Sequence, residues 1–277
     1  MSTLAEKWMQ MDRRIIFAAV GICVLFPLLV GPFKLPIETT HAVRSVYDTI
    51  ESLPEGSIIL VSMDFDPASK PELYPMTLSI MRHAFRQNVR VLGMNLWFPG
   101  IGMSEQLMSQ AAREYGKEYG KDYAYLGWMP GMVNVIVGMG QDLFKTFPKD
   151  HYRNDTSSLS ALEGVRSLRD IDYMIDMAAG YPGIEEWIVY GKEKYKFLMA
   201  AGCTAVTAPG MYIYLQSGQL NGLIGGMRGA AEYETLVHRP DTAIIGMDVQ
   251  SVTHLLIIGL VLVSNVLYLM TRKEKGK

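Results

Sequence analysis

Cysteine is nearly absent from this chain: there are only two, Cys23 and Cys203. Cys23 lies in a long apolar run, so no disulfide framework holds the chain together. Histidine is sparse as well. His41, His83, His151, His238 and His254 stand far apart, without HxH, HExxH or CxxC spacing, so no metal site is expected. The GxSxG of serine hydrolases and the phosphate-cradling GxxxxGK[ST] are both missing, and no GxGxxG follows a strand-like run. The pattern therefore names no cofactor. An excess of charge of either sign is lacking too. With 26 basic against 28 acidic residues, nucleic acid is not an expected partner.

What is present in abundance is apolar sequence, and it collects at the two ends. Ile15 to Phe33 carries no charged residue and is long enough to cross a hydrocarbon core. No small-x-small cleavage site follows it, which favours an uncleaved anchor over a signal peptide. A second span is expected over Val252 to Met270, where Ser264 and Asn265 are polar but uncharged. Outside the spans lie Lys7, Arg13 and Arg14 at one end and Arg272, Lys273, Lys275 and Lys277 at the other. The inner flanks carry only Lys34, Arg44 and Arg239. That bias predicts a two-span protein of the cell membrane with both termini cytoplasmic (residues 1–14 and 271–277) and residues 37–248 outside.

Between the spans, strand-length apolar runs alternate with helical patterns. Strands are expected at Ser57 to Asp64, Val89 to Trp97, Val133 to Met139, Asp170 to Ala178 and Cys203 to Thr207, with Tyr123 to Leu126 a candidate edge strand. Helices are expected at His41 to Ser52, Pro71 to Gln87, Met103 to Tyr115, Asp142 to Phe147, Ser160 to Arg166 and Ile184 to Tyr195. Strands apolar on both faces and separated by helices mark a mostly parallel, covered sheet. The expected fold class is α/β: a doubly wound, Rossmann-like sheet of about five strands.

The stretch from Ala208 to Leu236 stands apart. Charge is absent from Phe197 to Met227, and Gly218, Gly222, Gly226 and Ala230 recur every four residues, with Gly225 and Gly229 beside them. On a helix this spacing stacks small residues into a strip, which predicts a tightly packed glycine helix. The strip would pack within its own domain, against another subunit or against lipid. Arg228 and Glu232 stand four apart and would pair across one turn.

In a parallel sheet, ligands bind outside the carboxyl ends of the strands. The expected strand ends place Asp64, Asp66, Asn95, Gln141, Asp142, Tyr181 and Tyr212 around one cleft, whose carboxylates, amides and aromatics suit a polar neutral or cationic ligand. The segment Ile59 to Asp66, ILVSMDFD, resembles the Asp-x-Asp motif of the haloacid dehalogenase family. That resemblance implies Asp64 as nucleophile and Asp66 as general acid. It covers these eight residues alone. Ala68 stands where the family carries Thr or Val, and no later lysine motif or acidic pair for magnesium follows.

The sequence as a whole predicts a non-catalytic subunit or scaffold of a membrane protein complex. Its expected partners are membrane lipid and other membrane-protein subunits or further copies of itself. The alternative is a membrane-anchored hydrolase or small-molecule-binding domain using the strand-end cleft.

Overall fold

The computed structural model describes residues 12–33 and 36–275. Residues 1–11, Lys34 and Lys277 lie outside the described residues, so most of the expected amino-terminal segment and several of the flanking charges do too. The chain divides into two compact units: Ile37–Ala243, and the terminal segments Met1–Pro36 with Ile244–Lys277.

The elements in chain order begin with helices α1 (Arg13–Val30) and α2 (His41–Ser52). Strand β1 (Ile58–Asp64), α3 (Lys70–Arg86), β2 (Arg90–Asn95), α4 (Ile101–Glu114) and β3 (Tyr123–Trp128) follow. Next come α5 (Val133–Gln141), the single turn α6 (Leu143–Thr146) and β4 (Tyr173–Ala178). A helical stretch α7 (184–195) with a π-helical middle then leads to β5 (Leu198–Cys203) and α8 (Ala208–Gln216). The chain closes with β6 (Gly222–Gly225), α9 (Gly226–Leu236) and α10 (Thr242–Lys275).

All six strands are parallel and ordered β3-β2-β1-β4-β5-β6. The order reverses between β1 and β4, which is the Rossmann-type switch point. Helices α2, α3, α4 and α9 cover one face. Helices α5, α7 and α8 cover the other, over a core that includes Leu60, Met94, Met174, Ala201, Ile136 and Trp187. The expected doubly wound α/β fold is therefore what forms, with six strands.

Several local expectations are corrected. The fifth strand is Leu198–Cys203, with 204–207 in the turn that follows it, and the helix expected at Ser160 to Arg166 is a single 3-10 turn, Ser160–Leu162. Val133–Gln141 is helix α5, and the third strand is Tyr123–Trp128. The short link 129–132 cannot carry a crossover, so a parallel neighbour cannot follow β3 directly. As a helix, the segment turns Val135, Ile136 and Met139 onto the sheet, and Gly140 makes room for the Tyr195 ring: a Cβ there would lie 1.8 Å from Tyr195 Cζ.

The continuous glycine helix is also corrected. The stretch folds as α8, a turn, β6 and α9. Gly218 sits in the turn at φ 76° and Gly226 opens α9 at φ 62°, conformations that favour glycine. Gly222 lies in β6, where a Cβ would stand 2.4 Å from Val46 Cγ2 of α2. Gly225 approaches Ala208, Gly229 approaches Ile224, and Ala230 is fully buried. The small residues thus permit close packing inside the domain, but as strand, turn and helix start. The expected pair between Arg228 and Glu232 forms, at 3.2 Å.

In the terminal unit, α1 and residues Thr242–Met270 of α10 are long and apolar enough to cross a membrane. Along them Phe17, Ile22, Leu29, Leu255, Leu262 and Leu269 are exposed. Asp12 caps α1 by accepting from Arg14 N. The Phe33 N–H beyond its end donates to the buried Asp248 at 2.8 Å. Asn265 satisfies its amide on the Val261 carbonyl of its own helix.

A closed edge at the carboxyl ends of the strands

The carboxyl ends of β1 and β4 flank the switch point, so the site is built from there. Asp64 closes β1, and Asp176 sits in β4 opposite Ser62. By strand alternation all three side chains share the face covered by α5, α7 and α8. Asp64 is almost fully buried and accepts from Ser62 Oγ (2.6 Å), Leu96 N and Trp97 N. It therefore ties the β2 loop to β1.

The same device recurs along the edge. Asp66 accepts from Ala68 N (3.0 Å) and Ser69 N, capping the approach to α3. Glu72 of α3 takes the Ala205 N–H after β5 at 2.8 Å. Glu186 reaches back to Gly183 N at 2.9 Å, at the start of α7. In a dinucleotide-binding sheet, backbone amides at such loops and helix starts cradle phosphate. Here the domain's own carboxylates occupy these four places, and their charge repels an anion.

Asp176 is the exception. Its side chain has no exposure, and neither carboxyl oxygen has an N–H donor or hydroxyl among the described residues. Burial holds its carboxyl well above the usual carboxylate range, and the Asp64 charge and, more weakly, Glu186 add to this. These effects favour the protonated form of Asp176, in which its O–H faces Asp64. Burial pushes Asp64 up to about 6 despite its donors. The two carboxyls act as a pair sharing one proton.

Beyond the end of β4 lies a pocket of about 190 Å³, lined by Ala178, Gly180, Tyr181, Ile184, Glu185, Glu186, Thr207 and Met211 and by neither carboxyl of this pair. Of the seven residues expected around the cleft, only Tyr181 lines this pocket. Asn95 belongs to the opposite face, where it is buried and bonded to the Met63 carbonyl, Ser104 and Tyr125. Gln141 and Asp142 lie at the end of helix α5, which corrects their expected place at a strand end. Asp142 there caps α6 and pairs with Arg166 at 3.0 Å. Tyr212 is exposed on α8.

The residues missed are Asp176, Glu185 and Glu186. One signal was available: an acidic residue midway through YMIDMA, a run otherwise apolar on both faces. The haloacid dehalogenase resemblance finds no support in this geometry. Asp64 is buried and triply bonded, and Asp66 is held by its own loop.

The rim of this edge is apolar. Phe98 after β2, Met132 after β3, Tyr181 after β4 and Val206 after β5 are all exposed, Val206 at 91%.

No protein-family model matches the chain, and no curated protein matches it. The geometry defines the class: a Rossmann-like α/β domain whose ligand edge is closed by its own carboxylates, in a chain carrying two helices long and apolar enough to cross a membrane.

Proposed function

We propose that this chain is a membrane-anchored, non-catalytic subunit or scaffold of a membrane protein complex. Both helices embed in the bilayer, both termini are cytoplasmic, and the α/β domain lies outside. The single observation that carries this reading is the closed edge. Asp64, Asp66, Glu72 and Glu186 fill the amides that a nucleotide or phosphoryl substrate would need. Two further features support it. The long side chains exposed along α1 and α10 would cost about 1.5–3 kcal/mol each in water, which lipid removes. The apolar rim of Phe98, Met132, Tyr181 and Val206 suits contact with another membrane-protein subunit better than it suits solvent.

Both ends of the domain are also fastened to one helix. Glu232 of α9 accepts from Thr40 N and Thr40 Oγ1, at 2.8 and 2.7 Å, ahead of α2. Glu234 accepts from Asp241 N and Ala243 N at the start of α10. A domain held in this way at both of its ends suits a fixed assembly component. The test is the native mass of the gently solubilised chain, with mass spectrometry of what co-purifies. A defined assembly well above the 31.0 kDa of one chain is expected. A lone monomer without partners overturns the reading.

A further inference from the structure

Along the apolar part of α10 the two sides of the helix differ in what covers them. Leu256, Leu260 and Leu267 recur at helical spacing and are half-buried. Ile258, Val261, Asn265 and Tyr268 also share one side, and all of them are exposed. Asn265 stands about two and a half turns beyond Leu256, and so on the opposite side of the helix. From Ser251 to Met270 there is no Asp, Glu, Lys or Arg, and Asn265 is the only amide side chain. One N–H of that side chain donates to the Val261 carbonyl at 3.0 Å. The amide also has a second N–H and an acceptor oxygen, and neither has a partner among the described residues.

We propose that a second copy of this chain covers this side, α10 packing on α10 in the bilayer with the two Asn265 side chains paired across the seam. The proposal rests on the reading of α10 as a membrane span. In hydrocarbon no water serves the remaining N–H and oxygen of the amide, so a polar side chain facing lipid draws a partner helix. That partner must offer both a donor and an acceptor at the same depth. A second copy does so, because copies inserted in the same sense bring identical positions together about a two-fold axis. Each amide then donates to the oxygen of the other. Ile258, Val261 and Tyr268 take the remaining places of a coiled-coil seam, in which a single asparagine fixes register and oligomeric state.

Disulfide cross-linking of the full chain in its own membranes tests this, with Cys23→Ser as background so that only the buried Cys203 remains beside the introduced thiol. On oxidation Ile258→Cys should join two copies, and Leu256→Cys, on the half-buried side, should not. Sedimentation of the full chain in detergent gives the strength of the contact. Asn265→Leu should weaken self-association about tenfold, the loss of an interhelical hydrogen bond. Asn265→Gln, which keeps donor and acceptor, should retain most of it. Ile258 and Asn265 are exposed, so these variants fold. No cross-link at Ile258, equal cross-linking at the two positions, or an Asn265→Leu chain that associates as tightly as wild type would each overturn the proposal. If those results came with a native mass still well above one chain, the partner would be another subunit and the scaffold reading would stand. Release of the chain from membranes by alkaline carbonate would instead overturn the membrane reading on which both rest.

Discussion

The two faces of the sheet solve the burial of charge in opposite ways. On the face of α2, α3, α4 and α9, charges are buried in complete networks. Arg82 is buried between Glu114 and Asp241, both at 2.6 Å, and Arg239 adds a second contact to Glu114. His83 is flanked by Tyr233 Oη and Glu51 at 2.8 and 2.7 Å, with Tyr47 stacked on its ring at 4.5 Å. Burial pushes His83 down to about 4. The ring is therefore neutral, with Nε2–H donating to Glu51 and Nδ1 accepting from Tyr233. On the opposite face the buried charge is disfavoured instead of paired: burial and the neighbouring Asp64 favour the protonated form of Asp176. A satisfied network rigidifies its layer, whereas a buried carboxyl pair without further donors holds its place by sharing a proton.

The comparison breaks most visibly at Arg82. Arg82→Ala removes the buried cation between Glu114 and Asp241, leaving Glu114 only its contact with Arg239, and is expected to cost about 3–5 kcal/mol in urea unfolding of the domain. A loss below 1 kcal/mol would mean that the network is only a surface feature. Gly222→Leu comes next, at about 3 kcal/mol, because Val46 and the Ala42 carbonyl of α2 leave no space. A variant that folds normally but loses its partners would instead place Gly222 at a subunit contact.

The pH dependence separates the faces. The His83 folded pKa lies below its usual 6.5, so acidification favours the unfolded chain. Its contribution is full above about pH 6.5 and is lost as pH falls to about 4, on the order of 2–3 kcal/mol. Asp64 has the opposite sign. Its folded pKa is raised, so its contribution is full below about 3.8 and lost as pH rises through about 6. Stability measured from pH 4 to 8 should flatten on its acid side in His83→Gln. The smallest effect is expected from Asp176→Asn, which donates to Asp64 without titrating. It should raise stability at pH 8 by about 1 kcal/mol. A loss of more than about 2 kcal/mol would show that Asp176 is ionised and paired in the wild type.

The layering of the fold was legible because each strand is apolar on both faces and each crossover carries a helical stripe. Composition misled where helix and strand share residues. VNVIVGM has β-branched residues in strand proportion, and only the lack of room for a crossover after β3 makes it α5. In Gly218 to Ala230 a four-residue period matched a helix by coincidence, while each glycine answers a different demand: a positive φ at Gly218 and Gly226, a neighbouring helix at Gly222. Asp64 and Asp66 were found at the right end of the right strand, yet which acceptor is left free depends on the loops that fold back onto them. That information is tertiary. Asp176 could be seen in the sequence only as an acid out of place.

The closed edge is tested most directly by titrating the full chain with inorganic phosphate, ATP and NAD in a calorimeter. The account predicts no saturable heat from any of the three, because Asp64, Asp66, Glu72 and Glu186 already hold the amides they would need. Saturable binding of ATP or NAD, displaced by phosphate, would contradict it and return the domain to the nucleotide-binding proteins whose sheet it shares.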